Sequence, residues 1–142
     1  MDSRDIMAAL EETLRQEGEI TLPAAGLSMQ YSLGRAEALV IRPAATTPIR
    51  RGSIIVFKRH GRWIAHRVVW KTINNAGLAE YLTKGDSTWA FDRPVVSSEE
   101  VVGVVTAMRT NGRIVPFRGG TVMAMVGLAI AVAAGFFQKR DC

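Results

Sequence analysis

Apolar residues are spaced in three ways along the chain, and the first spacing predicts a helix. Near the N-terminus an apolar residue recurs at every fourth position, at Ile6, Leu10 and Leu14, with Met7 beside them. Such a stripe is typical of an amphipathic α-helix that packs one face on a protein core. Ser3 can cap this helix and Gly18 can end it. We therefore expect a helix over about residues 4–17.

Between about residues 20 and 118 the spacing changes to short runs typical of strands. The runs are Ala38–Arg42, Ser53–Lys58, Arg62–Lys71, Glu80–Thr83, Val101–Met108 and Arg113–Phe117. Turn residues separate them, and Asn111-Gly112 is the strongest hairpin signal because both residues accept the positive φ of a type I′ turn. The pattern predicts a mainly β fold, a small coiled β-sheet domain of five or six strands.

The third pattern is an uncharged segment after the strands. Residues 119–137 contain no charged side chain, and Lys139 and Arg140 follow them. A helix of about 20 residues spans a hydrocarbon core, and the accepted range begins near 17. We therefore expect a C-terminal hydrophobic, transmembrane helix over residues 119–138. Its several alanines leave open a helix that is buried or that pairs with another helix.

The length of the chain fits one folded domain with a helix on either side. The 142 residues are the size of a single domain. The segments are an N-terminal amphipathic helix (1–20), a β-rich domain (21–118) and the C-terminal hydrophobic helix (119–138). Cys142 is the single cysteine, which excludes an intrachain disulfide and a multi-cysteine metal site.

Charge is divided unevenly along the chain. The net charge of +5 combines −4 in residues 1–20 with +8 in residues 21–118. Residues 42–71 hold eight Lys or Arg and no acidic residue. Such a stretch attracts nucleic acid, anionic lipid or the acidic N-terminal segment, although a solvated basic face is the simplest interpretation. Because it lacks closely spaced aromatic residues that stack on bases, we expect no nucleic-acid partner.

Two regions offer side chains that could carry catalytic chemistry. His66 lies inside a predicted strand, where strict alternation places His66, Val68 and Trp70 on one face. Ser28 follows Gly26-Leu27, where glycine permits a sharp backbone turn and a free N–H beside the hydroxyl. Taken alone, a buried structural histidine and a turn serine are the more common explanations of these residues.

Two acidic residues, Asp86 and Asp92, lie on the glycine-containing loop that follows the Glu80–Thr83 run. A carboxylate on such a loop can orient a catalytic histidine. It can also simply fix a turn through hydrogen bonds to nearby backbone N–H groups. The loop by itself therefore leaves both interpretations open.

Five short motifs nevertheless follow one another in a fixed order through this region. They are G-x-S-M (26–29), R-G-x-I-I-V-F (51–57), H-R-V-V (66–69), Y-L-T-K-G-D-S…D (81–92) and V-V-G-V-V (101–105). Their order, spacing and strand context, over about residues 23–108, resemble the signal peptidase I family of serine proteases. The similarity is to the archaeal and endoplasmic-reticulum type, in which a histidine is the general base. That family has a small coiled β domain, in agreement with the strand pattern.

The resemblance implies a role for each candidate residue. Ser28 is the nucleophile, His66 the general base, Asp92 the acid that orients His66, and Asp86 a second acid that supports the site. The backbone N–H groups of Ser28 and Gly26 stabilise the oxyanion. A serine hydroxyl needs a neighbouring base to remove its proton, and a carboxylate on the far ring nitrogen fixes the tautomer of that base. This chemistry requires no metal or other cofactor.

The chain also departs from the family pattern. Gly26 stands where many relatives have a hydroxyl residue that assists the oxyanion. The proline that usually follows S-M is missing from residues 30–33, and Gly52-Ser53 replaces the usual G-D. The hydrophobic segment follows the β-rich domain instead of preceding the serine. These differences suggest a divergent branch.

We therefore expect a membrane-anchored serine endopeptidase that cleaves a peptide or precursor protein bound as an extended strand. One alternative is a catalytically silent, membrane-tethered β module that binds peptides or anionic surfaces, and another is a nucleic-acid-binding β barrel. The first twenty residues hold no apolar run of signal-peptide length, and the flanking charges lean by one towards a cytoplasmic domain. We expect the active site on the cytoplasmic face of the membrane.

Overall fold

The computed structural model describes residues 3–24, 36–86 and 89–117. Within these ranges the chain forms one α-helix, one short 3-10 helix and an eight-stranded sheet in which every pairing is antiparallel. This confirms the predicted mainly β fold with an N-terminal helix. The elements are α1 (Ser3–Glu17), β1 (Ile20–Pro23), β2 (Ala38–Pro43), β3 (Ile54–Arg59), β4 (Arg62–Ile73), β5 (Ala79–Lys84), β6 (Val96–Ser97), a 3-10 helix (Ser98–Glu100), β7 (Val101–Thr110) and β8 (Arg113–Pro116).

The strand order brings the two ends of the β-rich region together. Hydrogen-bonded neighbours follow the order β1-β2-β7-β3-β4-β5-β6, and β8 pairs with β7. Two tight turns have the positive φ angles of a type I′ hairpin, His60-Gly61 and the predicted Asn111-Gly112. Because β7 lies between β2 and β3, the sheet depends on pairings between residues far apart in the sequence.

The predicted number of five or six strands is too low. All six predicted runs form strands, but β1 ends on Pro23, a residue atypical of strands, and β6 has only two residues, too few for a periodic signal. Their pairings identify them: Leu22 lies opposite Leu39 of β2, and Val96 opposite Tyr81 of β5. β1 begins at Ile20, so only Gly18 and Glu19 separate it from the helix.

The helix α1 forms where the apolar stripe predicts it. It ends at Gly18, whose φ is +75° and whose N–H donates to the Leu14 carbonyl at 2.9 Å. Leu14 is buried and Leu10 is half-buried against the same core cluster, whereas Ile6 is 46% exposed. The helix therefore contacts the sheet mainly through its C-terminal half.

A separate apolar cluster lies on each face of the sheet at β3. Ile54 and Val56 belong to the cluster that includes α1, and Ile55 and Phe57 belong to a second cluster with Val68 of β4. Successive residues of a strand point to opposite faces, so β3 is buried on both. The second cluster forms the face on which the candidate active site lies.

A β-bulge changes the face on which Trp70 lies. The β4–β5 register shifts between Val68, which is opposite Thr83, and Trp70, which is opposite Leu82. Because Thr83 and Leu82 are adjacent in β5, their side chains point to opposite faces, and Trp70 packs in the cluster of Leu82. The prediction that His66, Val68 and Trp70 share a face is therefore wrong for Trp70, since a bulge inserts an extra residue.

Several predicted features lie outside the described residues. These are Gly26, Ser28 and the C-terminal helix at 119–138. Within residues 3–24, 36–86 and 89–117, the structure has no helix long and apolar enough to span a membrane.

Candidate active site

The buried polar side chains of the described residues lie close together in the sequence and in the sheet. They are His66, Arg67 and Thr83. Buried polar groups are informative because burial is costly unless they are hydrogen-bonded or charge-paired. His66 and Arg67 are neighbours in β4, Thr83 is in the adjacent strand β5, and all three have partners in the structure.

Asp92 is the partner of His66. One carboxylate oxygen of Asp92, Oδ2, lies 2.6 Å from Nδ1 of His66, and the His66 side chain is 10% exposed. With Asp92 ionised, an acceptor on Nδ1 places the ring proton of a neutral imidazole on Nδ1 and leaves Nε2 as a proton acceptor. This arrangement fixes both the orientation and the tautomer of His66.

Three contacts fix the position of Asp92. The Thr83 hydroxyl donates a hydrogen bond to the same Oδ2 at 2.6 Å, and the Asp92 backbone N–H donates to the Thr83 carbonyl at 2.9 Å. One residue earlier, Phe91 forms an isolated bridge with Lys84. The loop after β5 therefore folds back along that strand and holds the carboxylate against His66.

The imidazole of His66 is confined by an aromatic ring and a glycine. The Phe57 ring meets it edge to face, with the ring centroids 6.0 Å apart. A Cβ built on Gly85 would be 2.9 Å from Nε2, closer than side-chain atoms normally approach. The same Cβ would be 3.3 and 3.4 Å from the two ring carbons next to Nε2, so Gly85 packs over the ring beside Nε2 and leaves no space for a side chain at position 85.

Asp86 is part of a different contact. Its carboxylate accepts from Nε of Arg67 at 3.1 and 3.2 Å and from Nη2 at 3.0 Å, and both side chains are 5% exposed. Arg67 also donates from Nη1 to the Gly52 carbonyl at 2.9 Å. The pair attaches the start of the loop to the opposite face of β4 from His66, so Asp86 supports the loop and does not contact the imidazole.

Two further features bear on the chemistry of this region. Tyr81, two residues before Thr83, is 5% exposed, and its burial raises the pKa of its hydroxyl above the ordinary value of 10.0. Across residues 3–24, 36–86 and 89–117, no group of three or more potential ligands is placed to hold a metal ion.

Of the residues that the sequence predicts as a site, the structure brings His66 and Asp92 into contact and places Asp86 on Arg67 instead. The sequence pattern offers no reason to select Thr83 or Gly85. The signal available was their position: both fall in the Y-L-T-K-G-D-S motif between Tyr81 and Asp86. Their contacts depend on the β4–β5 register, which a local pattern does not specify.

The assembled groups can carry out acid–base chemistry: Nε2 of His66 can accept a proton, and Asp92 can stabilise the resulting imidazolium.

Comparison with known proteins gives a partial similarity. No family model matches the chain. The chain is 38% identical over 68 residues to the signal peptidase complex catalytic subunit SEC11C of Homo sapiens, Mus musculus and Canis lupus familiaris. The matched part is 46% of this chain, and the chain spans about a third, 35%, of the length of those relatives. The similarity supports the resemblance to signal peptidases at the level of the family.

Proposed function

We propose that this protein is a serine endopeptidase of the signal peptidase type, with Ser28 as nucleophile, His66 as general base and Asp92 as the residue that orients His66. The observation that carries the proposal is the contact of 2.6 Å between Nδ1 of His66 and Oδ2 of Asp92. Gly85 packs against the same ring beside Nε2. The partial similarity to a signal peptidase catalytic subunit supports the same class of enzyme.

The proposed reaction has two proton-transfer stages. Ser28 Oγ attacks the scissile carbonyl while Nε2 of His66 takes its proton, and the backbone N–H groups of Ser28 and Gly26 stabilise the oxyanion. The imidazolium then gives that proton to the departing amine, which leaves an acyl-enzyme. In the second stage His66 takes a proton from water, the resulting hydroxide attacks the ester, and the proton returns to Ser28. Asp92 stabilises the imidazolium in both stages.

The proposed substrate is a peptide or precursor protein in an extended conformation, with small side chains at the first and third positions before the scissile bond. The resemblance to signal peptidases is the basis for this preference. Attachment to a membrane through residues 119–138 is part of the same proposal.

Mass spectrometry of a peptide mixture digested with the purified full-length chain tests the proposal. Wild-type protein should produce defined new termini, and Ser28→Ala and His66→Ala should each abolish them while the fold is retained by circular dichroism. The double variant should be little worse than either single one, because members of a proton-transfer unit fail together. His60→Asn is the matched control, since His60 is an exposed turn residue. If His66→Ala kept more than about a tenth of the activity, the general-base role would be wrong.

A specific surface favours a second function, binding to an anionic surface. A cavity of about 500 Å³ is lined by Ile49, Arg50, Arg51, Trp70, Lys71, Thr72 and Ile73. The Arg51 guanidinium lies 5.2 Å from the centre of the Trp70 ring, and Ile73 is 62% exposed. Exposed cations beside exposed apolar groups are typical of surfaces that contact anionic lipid.

Not all of the basic residues in 42–71 are available to bind an anionic surface. Of the eight basic residues in 42–71, four have a carboxylate partner among the described residues: Arg42 with Glu19, Lys58 with Glu11, Arg59 with Glu100, and Arg67 with Asp86. The acidic N-terminal segment thus neutralises part of the stretch. Binding to the cavity surface around Arg51 and Lys71 can be tested with vesicles that contain or lack anionic lipid, by comparing full-length wild type with Arg51→Gln/Lys71→Gln. Equal binding of both proteins to anionic vesicles would exclude a role of this surface in binding.

A further inference from the structure

Arg59, the last residue of β3, holds the segment that follows Asp92. Its Nη1 donates to the Pro94 carbonyl at 2.7 Å, and its Nη2 donates to the Val95 carbonyl at 3.3 Å. Nη2 also donates to the Glu100 carboxylate at 2.8 Å. The Arg59 side chain is 10% exposed, so these bonds form largely away from solvent.

The residues that Arg59 binds are two and three positions after Asp92. The carboxylate of Asp92 is fixed from the other side by Thr83, through one side-chain and one backbone hydrogen bond. The loop after β5 is therefore held at two places, by β5 before Asp92 and by β3 after it. A shift of Pro94 would move Asp92, because only Arg93 lies between them.

Arg59 also supports the aromatic wall of the site. Its guanidinium lies 5.4 Å from the centre of the Phe57 ring, and the same ring contacts the His66 imidazole edge to face. Arg59 therefore contacts one residue that packs on His66 and the loop that carries the hydrogen-bond partner of His66. Both supports of the imidazole meet at this guanidinium.

Glu100 completes the arrangement. Besides pairing with Arg59, its carboxylate accepts a hydrogen bond from the Ser97 backbone N–H at 3.1 Å, within the capping box of the 3-10 helix. The geometry requires the fork of an arginine, because a lysine ammonium is a point charge and does not present a planar set of donors to two carbonyls and a carboxylate.

We propose that Arg59 is a positioning residue that sets the distance and orientation between His66 and Asp92, so that loss of its guanidinium fork lowers catalysis without removing a group that touches substrate. The inference rests on the proposed peptidase function for its kinetic consequence. Its structural consequence, a change at the His66 imidazole, is independent of any activity.

The primary measurement is the imidazole NMR spectrum of the full-length chain labelled with 15N at histidine. The protein has two histidines, so His60→Asn assigns the His66 signals. We expect wild type to show a downfield Nδ1–H proton, as for an imidazole that donates to a carboxylate. In Arg59→Gln this proton should move upfield or exchange rapidly with water. Arg59→Lys should give an intermediate spectrum, and Glu100→Gln should give a smaller shift in the same direction.

The second measurement is hydrolysis of a substrate found with the wild-type enzyme. Because a displacement of about 1 Å can cost about 10²-fold, Arg59→Gln should lower kcat by roughly 10- to 100-fold, with KM little changed. Arg59→Lys should recover part of the loss. Arg62→Gln is the matched control, since Arg62 is an exposed cation opposite Arg59 in the β3–β4 register.

The outcomes separate positioning from stability alone. If Arg59→Gln folds and leaves both the His66 spectrum and kcat unchanged, or lowers only the unfolding temperature, the inference is wrong. If Arg59→Gln does not fold, Arg59→Lys and Glu100→Gln decide by the same criteria. If the wild type hydrolyses nothing, the proposed function fails, and the His66 spectrum alone then supports or overturns the positioning role.

Discussion

Gly85 packs over the His66 ring beside Nε2, where a Cβ would be 2.9 Å from the nitrogen and 3.3 and 3.4 Å from the two adjacent ring carbons. The other ring nitrogen, Nδ1, is occupied by Asp92. The ring is therefore held through Nδ1 by Asp92 and packed against the backbone at position 85, where a side chain would displace it. In the proposed mechanism such a displacement matters, because Nε2 must be placed to take the proton of the Ser28 hydroxyl.

The first prediction follows from this contact. Gly85→Ala should displace the His66 ring or its loop and lower kcat by about 10²-fold, because proton transfer depends on the position of Nε2 to within a fraction of an ångström. The fold should be retained. Hydrolysis rates and circular dichroism of the full-length variant check this result.

Gly77→Ala is the control for this glycine. Gly77 has open space around its Cα and a φ of +80°, so alanine there is strained but contacts nothing. It should lower stability and leave kcat unchanged. Equal activity of Gly85→Ala and wild type would show that a methyl group at position 85 does not displace the His66 ring and would overturn this prediction.

The second prediction separates the two loop acids. Asp92→Asn should lower kcat by roughly 10²- to 10⁴-fold and leave stability nearly unchanged, because the wrong imidazole tautomer is favoured. Asp86→Asn should instead lower the free energy of unfolding by roughly 3–5 kcal/mol, because it removes the carboxylate charge that pairs with the buried Arg67 guanidinium. Urea unfolding and kinetics of both variants measure the two effects. Similar losses of kcat in both variants under folding conditions would mean that the acids share one role.

The third prediction concerns the second donor to Asp92. Thr83 is fully buried and its hydroxyl bonds to the oxygen that contacts His66. Thr83→Val keeps the shape but removes the donor, so kcat should fall about tenfold, equivalent to about 1.4 kcal/mol in the activation barrier. Thr83→Ser retains a hydroxyl and should recover most of the rate. If valine and serine behave alike, the hydroxyl does not orient Asp92.

The sequence predicts elements where the signal is local and misses features set by distant pairing. The Asn111-Gly112 hairpin follows from the backbone preference of two adjacent residues. The bulge that turns Trp70 to the other face arises from the match between β4 and β5, and nothing within β4 alone indicates it. The two-residue strand β6 likewise exists through its pairing with Glu80 and Tyr81.

The same distinction applies to the candidate site. The order of the motifs points to His66 and Asp92 together, although they are 26 positions apart. Nothing in the sequence distinguishes Arg59 from the other basic residues, because its partners at Pro94 and Glu100 are distant in the sequence. Residues that carry the proposed chemistry have recognisable types and spacing, whereas those that position them depend on the assembled fold.

The fourth prediction tests the attachment of α1 to the sheet. Leu14 is 1% exposed in the core cluster, so Leu14→Ala should lower the free energy of unfolding by about 2–5 kcal/mol through lost contacts and a cavity. Ile6→Ala, on the same stripe but 46% exposed, should change it by less than about 0.5 kcal/mol. Chemical denaturation of both variants decides. Equal effects would show that α1 packs along its whole length or not at all.

The last prediction uses the raised pKa of Tyr81. Because burial favours the neutral hydroxyl, the folded-state pKa lies above the ordinary value of 10.0. Below pH 10.0 Tyr81 is neutral in both states and its contribution to stability is fully present. As the pH rises from there through the folded-state pKa, the unfolded chain ionises first and the contribution is lost. Wild type should therefore lose stability above about pH 10.0 more steeply than Tyr81→Phe, which is nearly equal in volume and cannot ionise. Parallel urea denaturation curves across this range measure the difference, and identical slopes for the two proteins would show that the Tyr81 hydroxyl ionises as readily in the fold as in the unfolded chain.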